Sequence, residues 1–363
     1  MGVVHNMHSL FKDLTIVELA SVLPGPAVGN FFSELGAEVI KVENKTAGGD
    51  ITRQWRPPGE IDQGPSAYYS SVNWNKRSIF LDLTNSTDKK RVQQLIQNAD
   101  IVITNFKKGD DQKFGLTYED FKMFNPSIIH GQISGFGSDS DRLAYDLIMQ
   151  AETGFMSMNG QPDSPPTKMP LALIGVLAAH QLKEGILCAL LKQKENPNQP
   201  FNVEVSLYES AISSLINQAT NWLMNNNIPQ QMGSKHPNIA PYGEIFSTSD
   251  NCLVTMAIGS DRQFQNLCMI LGAGDLSENP RYAGNAARVE NRKRLENILQ
   301  DKIAGWEAGP LLSQCREKLV PAAEIKNLQQ VFEESKAQDM ILRETIDERE
   351  TARPKTTAFH LKS

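Results

Sequence analysis

Apolar positions in the first part of the chain come in short continuous runs and in runs at helical spacing, and the two kinds alternate. Residues 14–19 form a β-branched run, and a turn at residues 21–26 leads into a helix that carries Phe31 and Phe32. The next continuous run covers residues 37–42. A strand, a helix and a strand in this order predict a right-handed parallel crossover.

The same order repeats further along the chain. Strand-like runs at residues 79–83 and 101–104 flank a helical pattern at residues 88–98, and a further strand is predicted at residues 128–134. Together these elements predict an open, parallel, Rossmann-like α/β sheet. Gly25 follows the first strand, but the GxGxxG fingerprint of dinucleotide sites is missing there, so the sequence does not support a nicotinamide enzyme.

The middle of the chain contains two apolar segments joined by a bridge rich in Gly, Pro and Asp. The first segment begins at Tyr145 and Asp146 and ends at Gly154, the bridge covers residues 159–166, and the second segment covers residues 171–191 at roughly helical spacing. The Asn-Gly and Pro-Pro pairs predict an ordered loop. Polar and charged residues interrupt the second segment, whereas a membrane span requires uninterrupted apolar length, so a buried core helix is predicted.

The pattern changes after residue 224, where we expect a domain boundary. The prediction places a large α/β domain at residues 1–224, a polar linker at residues 225–240 and a small α+β domain at residues 241–320. Within the small domain, short strands at residues 244–248 and 253–258 flank a turn-forming cluster, which predicts an antiparallel hairpin.

The segments that border the small domain carry weaker patterns. A strand at residues 201–207 and one helix at residues 208–224 are predicted to close the large domain. Near the carboxyl terminus, a helix is expected from about residue 327, and residues 344–355 form a polar segment with no predicted element.

Composition narrows the classes of partner and the expected location. The 363-residue chain has a formal net charge of -6 and no basic tail, so nucleic acid is not an expected partner. The four cysteines show no CxxC spacing, which argues against zinc and predicts a reducing compartment, the cytosol. His180 and Glu184 lie one helical turn apart without an evident third ligand, so no metal site is expected. Residues 1–14 lack the features of a signal peptide.

Several motifs occur in an order that is typical of one family. From Arg142 the pattern is Arg-x-x-Tyr-Asp, then Gln-Ala-x-x-Gly-x-Met-Ser-x-x-Gly, then Pro-Pro and a long apolar helix. The others are LPGPAVGNFFSELGAEVIKVEN at 23–44, GGDITRQW at 48–55, NWNKRSIFLDL at 73–83, NFKKGDDQKFG at 105–115 and SGFG at 134–137. Over nearly its whole length the sequence resembles the family III CoA-transferases, which include formyl-CoA and carnitine CoA-transferases and the 2-methylacyl-CoA racemases.

The resemblance implies an architecture that the pattern alone does not give. Members of this family are homodimers in which each chain forms a ring of a large and a small domain, and the two rings pass through each other. Residues 321–363 are therefore expected to return to the large domain. The resemblance also implies coenzyme A or an acyl-CoA as substrate or ligand, a small carboxylic acid as the second substrate and no permanently bound cofactor. Because the apolar segment at residues 171–191 is interrupted by polar and charged residues, no membrane partner is expected.

Coenzyme A is a large anion, and its site needs cations, free backbone N–H groups and a flat apolar surface. Arg53 and Trp55 are weaker candidates for this site that could serve only to shape a loop. From spacing alone, Lys76 and Arg77 also fit solvated surface charges, and Phe106 also fits a core side chain. By resemblance, the clusters expected to line the CoA groove are Val22, Leu23 and Pro24; Asn75, Lys76 and Arg77; and Asn105, Phe106 and Lys113.

One position departs from the family pattern. The family's nucleophile is an Asp that follows the Pro-Pro pair at the head of the apolar helix, and the matching position here is Gly175. Tyr145 matches a position that is Tyr in the transferases and His in the racemases, and Asp146 fits either a structural carboxylate or a displaced nucleophile. A racemase needs an acid and a base on opposite faces of the substrate α-carbon. Because Tyr145 and Gly175 make a poor pair for that role, racemization ranks below transfer.

Two functions from different classes follow from these features. The first is a CoA-transferase, in which the family's Asp attacks the acyl-CoA, forms a mixed anhydride and then an enzyme–CoA thioester, and passes CoA to a carboxylic acid. The second is a catalytically silent relative that still binds CoA thioesters, because phosphate contacts and stacking do not use the nucleophile. The family resemblance favours the first, and Gly175 favours the second.

Overall fold

The computed structural model describes residues 9–362 and divides into two compact units. The first unit comprises the chain up to Phe155, residues 168–227 and the chain from Asp339 onward, and the second comprises residues 156–167 and 228–338. Residues 1–8, which include much of the stretch without signal-peptide features, lie outside the described residues.

The first unit is built on a parallel sheet of six strands. The strands are β1 Thr15–Leu19, β2 Glu38–Asn44, β3 Arg77–Leu81, β4 Ile101–Thr104, β5 Ile129–Ser134 and β6 Phe201–Ser206. Their order across the sheet is β3-β2-β1-β4-β5-β6, so the direction of winding reverses between β1 and β4. This confirms the predicted open parallel α/β sheet. The crevice outside the carboxyl ends of the strands at such a reversal is where open sheets bind ligands.

Helices cover both faces of this sheet. Up to residue 225 the helices of the first unit are α1 Pro24–Glu34, α2 Ala67–Ser70, α3 Ser86–Gln97, α4 Asp110–Phe114, α5 Tyr118–Phe124, α6 Asp146–Glu152, α8 Leu173–Glu195, α9 Leu207–Ser213 and α10 Ile216–Asn225, whereas α7 Phe155–Met158 begins in the first unit and continues into the second. On β1, Ile16 packs with α1 and α8 on one face, and Val17 packs with α3 and α5 on the other. Strands buried on both faces explain why their sequences are continuous apolar runs.

The predicted apolar core helix is α8. Ile174, Ala178, Leu182 and Ile186 recur every four residues and are fully buried in the core of the first unit. The helix lies so close to β5 that a Cβ on Gly131 would be 2.9 Å from a methyl group of Ile186, which explains the glycine. Among the described residues, α8 is the one helix that is long and apolar enough to cross a membrane.

The single helix predicted at residues 208–224 is wrong, because the structure has two helices there. α9 ends at Ser213 and α10 begins at Ile216, where φ is +38°. The hydroxyls of Ser213 and Ser214 donate hydrogen bonds to the carbonyl of Ser210 at 3.0 and 2.8 Å. Side-chain donors of this kind compete with the backbone donors of a helix.

The second unit carries a small antiparallel sheet in the order β7-β8-β9, with β7 at Tyr242–Ser247, β8 at Leu253–Ala257 and β9 at Ala322–Glu324. The pairing of β7 with β8 confirms the predicted hairpin. Because β9 pairs with β8, residues 321–338 belong to this unit, and the chain returns to the first unit only at Asp339. The helices are α11 Asp261–Ile270, α12 Gly274–Glu278, α13 Asn285–Glu290, α14 Arg292–Ile303, α15 Ala308–Glu317, α16 Leu328–Phe332 and α17 Ser335–Gln338.

The polar segment at residues 344–355, for which no element was predicted, lies within an antiparallel hairpin of β10 Ile341–Ile346 and β11 Arg349–Pro354. Buried charges anchor it: the Arg353 guanidinium lies 2.7 Å from the Glu34 carboxylate of α1. Burial alone would raise the pKa of Glu34, but the Thr356 N–H and Arg353 outweigh it and hold that pKa below its usual value. The hairpin thus packs through ion pairs, which carry no hydrophobic pattern.

Candidate functional site

A cleft of about 560 Å³ lies at the carboxyl ends of β1 to β4 in the first unit. Ser21 follows β1, Asn44 ends β2, Leu83 follows β3 and Asn105 follows β4, and all four residues line the cleft. It therefore includes the reversal point between β1 and β4, where ligands bind in sheets of this order.

One wall of the cleft is aromatic and its rim is cationic. The rings of Phe106 and Phe114 meet edge to face with centroids 5.9 Å apart. Lys107 and Lys113 line the same cleft with exposed side chains, and the Lys113 ammonium lies 5.4 Å from the Phe114 ring centroid. Aromatic rings beside exposed cations suit a nucleotide base and its phosphates.

The cluster Asn105, Phe106 and Lys113 thus lies together in the cleft. Asn105 also has a structural role, because its amide accepts the Ser21 N–H at 3.0 Å and donates to the Ser21 carbonyl at 2.8 Å. These two bonds tie the end of β4 to the end of β1, so Asn105 shapes the cleft as well as lining it.

The cluster Asn75, Lys76 and Arg77 does not line the cleft. Arg77 begins β3 and pairs with Glu38 at 2.8 Å, about 13 Å along the strand from the end that borders the cleft. The Lys76 side chain is fully buried and its ammonium lies 2.7 Å from Glu18. Burial lowers the pKa of Lys76 to about 7 against the opposing effect of Glu18.

The cluster Val22, Leu23 and Pro24 leads from β1 into α1, which begins at Pro24, and approaches the start of α8. A Cβ built on Gly175 would lie 3.3 Å from Leu23 Cδ2 and 3.8 Å from Pro24 Cδ. Val22 has a φ of +70°, in the left-handed region that β-branched residues rarely adopt. The structure therefore brings this cluster and Gly175 together.

Asp146 lies beside Gly175 and caps α8. One carboxylate oxygen accepts the backbone N–H groups of Ile174 at 2.7 Å and Gly175 at 3.3 Å, and the other accepts the Gln150 amide at 2.5 Å. A carboxylate at a helix N-terminus satisfies N–H groups that lack partners within the helix. Tyr145 immediately precedes α6, with its side chain 61% exposed.

A buried ionic network borders the cleft and positions its lining. The Lys41 ammonium contacts Glu18 at 2.9 Å and Asp50 at 3.1 Å. Burial alone would lower the pKa of Lys41, but Glu18 and Asp50 raise it overall. The Asp50 carboxylate also accepts the Val22 N–H. Charges inside a low-dielectric interior require such pairing.

Arg53, a weaker candidate for ligand binding, makes contacts within the first unit. Its guanidinium binds both carboxylate oxygens of Glu43 at 2.7 Å and contacts Asp347 at 2.7 Å. Burial alone would raise the pKa of Glu43, but Arg53 lowers it to about 2. Trp55 is partly exposed and its ring meets that of Tyr68 edge to face at 5.1 Å.

Sequence reasoning missed two parts of this region. The first is Tyr68, whose phenol has a raised pKa, mainly from burial and then from the nearby carboxylates of Asp146 and Asp50. Because α2 spans four residues, no periodic signal identifies Tyr68. The second part is residues 81–84, which line the cleft after β3. The rule that open parallel sheets bind ligands at strand carboxyl ends could have found it.

Within residues 9–362, no group of three or more His, Cys, Asp or Glu side chains is arranged to hold a metal ion.

Comparison with known proteins places this chain in a family. Residues 11–362 match the family described as CoA-transferase family III, and the chain belongs to it, which confirms the resemblance. The chain is 36% identical over 343 residues to a succinate–glutarate CoA-transferase of Agrobacterium fabrum, covering 93% of this chain and 85% of that protein. It is 34% identical over 326 residues to the human succinyl-CoA:glutarate CoA-transferase, covering 89% and 73%.

Solved structures agree with this assignment. The crystal structure of a CAIB/BAIF family protein from Brucella suis superimposes with a TM-score of 0.84 and 35% sequence identity, covering 95% of this chain and 91% of that chain. The two-part α/β architecture is therefore that of the family, whose members use CoA thioesters as substrates.

Proposed function

We propose that this chain binds the CoA thioester of a small dicarboxylic acid, with the nucleotide in the cleft and the thioester beside Gly175. The main observation that supports this proposal is the position of the loop of residues 20–24. Ser21 lines the cleft, whereas Leu23 lies 3.3 Å from the point where a side chain of residue 175 would begin. A ligand that follows this loop would run from the cleft to the start of α8.

The chemistry of the cleft supports a CoA ligand. The Phe106 and Phe114 wall offers a surface for adenine, and Lys107 and Lys113 offer cations for the phosphates. Charge-assisted hydrogen bonds to phosphate are stronger than neutral ones. The acyl class is proposed from relatives whose names specify succinate, glutarate and mesaconate as reactants.

The glycine at position 175 supports a function in which the chain binds a CoA thioester but residue 175 forms no covalent intermediate. Family resemblance places the nucleophilic aspartate there, and glycine has no side chain to be acylated. The adjacent Asp146 carboxylate accepts hydrogen bonds at both oxygens, which lowers the reactivity of its lone pairs. We therefore propose a CoA-thioester-binding member of the family in which residue 175 forms no enzyme–CoA thioester.

One observation favours a second candidate, CoA transfer with Asp146 as the nucleophile. Its carboxylate lies 3.3 Å from the Gly175 nitrogen, so a carboxylate is already present at the start of α8. An attack by Asp146 would form a mixed anhydride and then an Asp146–CoA thioester, with release of the acyl group as a carboxylate. The contacts to Ile174 and Gln150 would have to be broken or weakened for that attack.

Intact-protein mass spectrometry separates the two candidates. The wild type, Gly175→Asp and Val176→Asp would be incubated with succinyl-CoA and glutaryl-CoA, with borohydride or hydroxylamine trapping. Val176 is 39% exposed at the next position of α8, so Val176→Asp adds a carboxylate to the same turn at an exposed position. We expect an adduct on Gly175→Asp alone. An adduct on the wild type that maps to Asp146 would replace our proposal with the second candidate.

We also propose that the working form is an interlocked homodimer in the cytosol. The dimer is supported by large apolar side chains that α9 and α10 leave exposed, namely Ile212, Ile216, Trp222, Leu223 and Met224. Large apolar side chains exposed at neighbouring positions along the chain are typical of interfaces. The location is supported by the four cysteines, all of which are free thiols.

A further inference from the structure

Val22 adopts a strained backbone conformation directly after Ser21, which lines the cleft. Its φ is +70°, between the end of β1 and the start of α1. A β-branched residue is sterically unfavourable in this left-handed region, and such strain persists only where the surroundings impose it. Something in the structure must therefore hold Val22 in place.

The group that contacts the Val22 backbone is the carboxylate of Asp50. Its two oxygens accept the Val22 N–H at 3.1 and 3.3 Å. The Asp50 side chain is itself 1% exposed and is fixed by the Thr52 hydroxyl at 2.8 Å and by the Lys41 ammonium at 3.1 Å. A buried, ion-paired carboxylate has little freedom to move, so it is a rigid acceptor.

The two residues before Val22 are held in the same manner. The Lys41 ammonium donates to the Ala20 carbonyl at 2.8 Å, and the Asn105 amide binds both the N–H and the carbonyl of Ser21. Three consecutive residues therefore have their backbone groups bound by side chains from β2, from the segment after β2 and from the end of β4. Ala20, Ser21, Lys41, Asp50 and Asn105 all line the cleft.

We propose that Asp50 is a positioning residue: it holds Val22 in the left-handed conformation and thereby sets the path of the chain between the CoA cleft and Gly175. Without this bond, Val22 relaxes to a negative φ. Leu23 and Pro24, which follow directly and lie against Gly175, then change direction. The part of this inference that concerns CoA rests on the proposed function.

Asp50 also caps the short helix Ile51–Gln54 through the Thr52 N–H at 3.0 Å, so a loss of binding in an Asp50 variant could reflect that cap alone. Substitution of Val22 distinguishes the two roles. Glycine adopts a φ of +70° without steric cost. If Asp50 acts by holding Val22, then Val22→Gly makes the loop less dependent on Asp50, whereas a role confined to the cap is independent of residue 22.

The first measurement is hydrogen exchange of the unliganded protein, followed by mass spectrometry of peptides that contain residues 20–24. We expect exchange in Asp50→Asn to be at least tenfold faster than in the wild type, and the double variant with Val22→Gly to recover most of the protection. Equal exchange in the single and double variants would overturn the proposal. This readout requires no ligand, so it stands even if the chain does not bind CoA.

The second measurement is CoA affinity by titration calorimetry on the same variants. We expect Asp50→Asn to weaken CoA binding about tenfold, and the double variant to bind within about threefold of Val22→Gly alone. Asn251→Gly is a matched control, because Asn251 has a φ of +61° in the hairpin turn of the second unit, and its affinity should equal that of the wild type. If Asp50→Asn lowers CoA affinity equally in the wild type and in Val22→Gly, Asp50 has another role and the proposal is overturned. If the wild type does not bind CoA, the proposed function is refuted instead.

Val22→Gly alone provides a check if Asp50→Asn does not fold. Relief of strain offsets the larger conformational entropy that glycine gives to the unfolded chain, so its thermal midpoint should stay within about 3 °C of the wild type. A midpoint more than about 5 °C below that of the wild type would show that Val22 is not strained and would overturn the proposal.

Discussion

The Asp146 carboxylate accepts the backbone N–H of Gly175 at 3.3 Å, so the residue proposed as a displaced nucleophile binds the very position where the family's nucleophile is expected. The same oxygen accepts the Ile174 N–H at 2.7 Å. Asp146 therefore satisfies two N–H groups of the first turn of α8 and adds a negative charge to the positive end of the helix.

We predict that Asp146→Asn destabilises the first unit without abolishing CoA binding. Loss of a helix-capping carboxylate costs about 1–2 kcal/mol of unfolding free energy. Urea unfolding measures this cost, and calorimetry measures the affinity for CoA. Asp141→Asn is the control, since Asp141 is an exposed carboxylate on the segment before α6. A variant of full stability that has lost CoA binding would contradict the capping role.

We predict that the lysines at the cleft rim, rather than Lys76 and Arg77, carry the affinity for CoA. Lys113→Ala should weaken binding about tenfold or more, because a charge-assisted bond to phosphate contributes about 1.5–3 kcal/mol. Calorimetry at two salt concentrations should also show that the CoA affinity of Lys113→Ala depends less on salt than that of the wild type. Arg77→Ala is the matched control: it removes one exposed cation at the other end of β3, and its affinity should not change. A larger loss of CoA affinity in Arg77→Ala than in Lys113→Ala would show that CoA binds outside this cleft.

We predict that acid destabilises the first unit through His130. The buried imidazole binds Thr104 and Asn202, each at 2.8 Å, and burial lowers its pKa to about 4 against the effect of Asn202. The unfolded chain takes up a proton near pH 6.5, whereas the folded chain stays neutral down to about pH 4. Stability is therefore full above pH 6.5 and falls as the pH drops toward 4, by about 3 kcal/mol in total.

Urea unfolding between pH 7 and pH 4 tests this dependence on the wild type and on His130→Gln, which cannot titrate. The carboxylates of the fold titrate in both proteins, so the difference between the two curves isolates His130. If the curves are parallel over this range, His130 does not contribute.

We predict that the exposed apolar side chains of α10 are buried between two copies of the chain. Leu223 is 78% exposed and Met224 is 75% exposed. Leu223→Asp should lower the thermal midpoint and shift the mass in sedimentation toward that of one chain, because an unpaired charge would enter an apolar interface. Met123→Asp is the control, since Met123 is 73% exposed on α5. A wild-type monomer across a dilution series would contradict the dimer.

The sequence by itself determined the parallel sheet and the apolar face of α8. Strands buried on both faces require continuous apolar runs, and a helix that packs on a sheet requires an apolar residue in every turn, as at Ile174, Ala178 and Leu182. The motifs also determined the family, which matches residues 11–362. These features can be predicted from the sequence because each depends on residues that are close together along the chain.

The tertiary structure decided which polar residues meet. Lys76 pairs with Glu18, Asp146 accepts an N–H group at the start of α8, and Arg353 of the hairpin β10–β11 pairs with Glu34. These partners are far apart in the sequence. A lysine that binds a phosphate and a lysine that neutralises a buried carboxylate have the same sequence signature. Hydrophobic periodicity records the burial of apolar side chains but not the pairing of charges, so only the folded chain distinguishes the two.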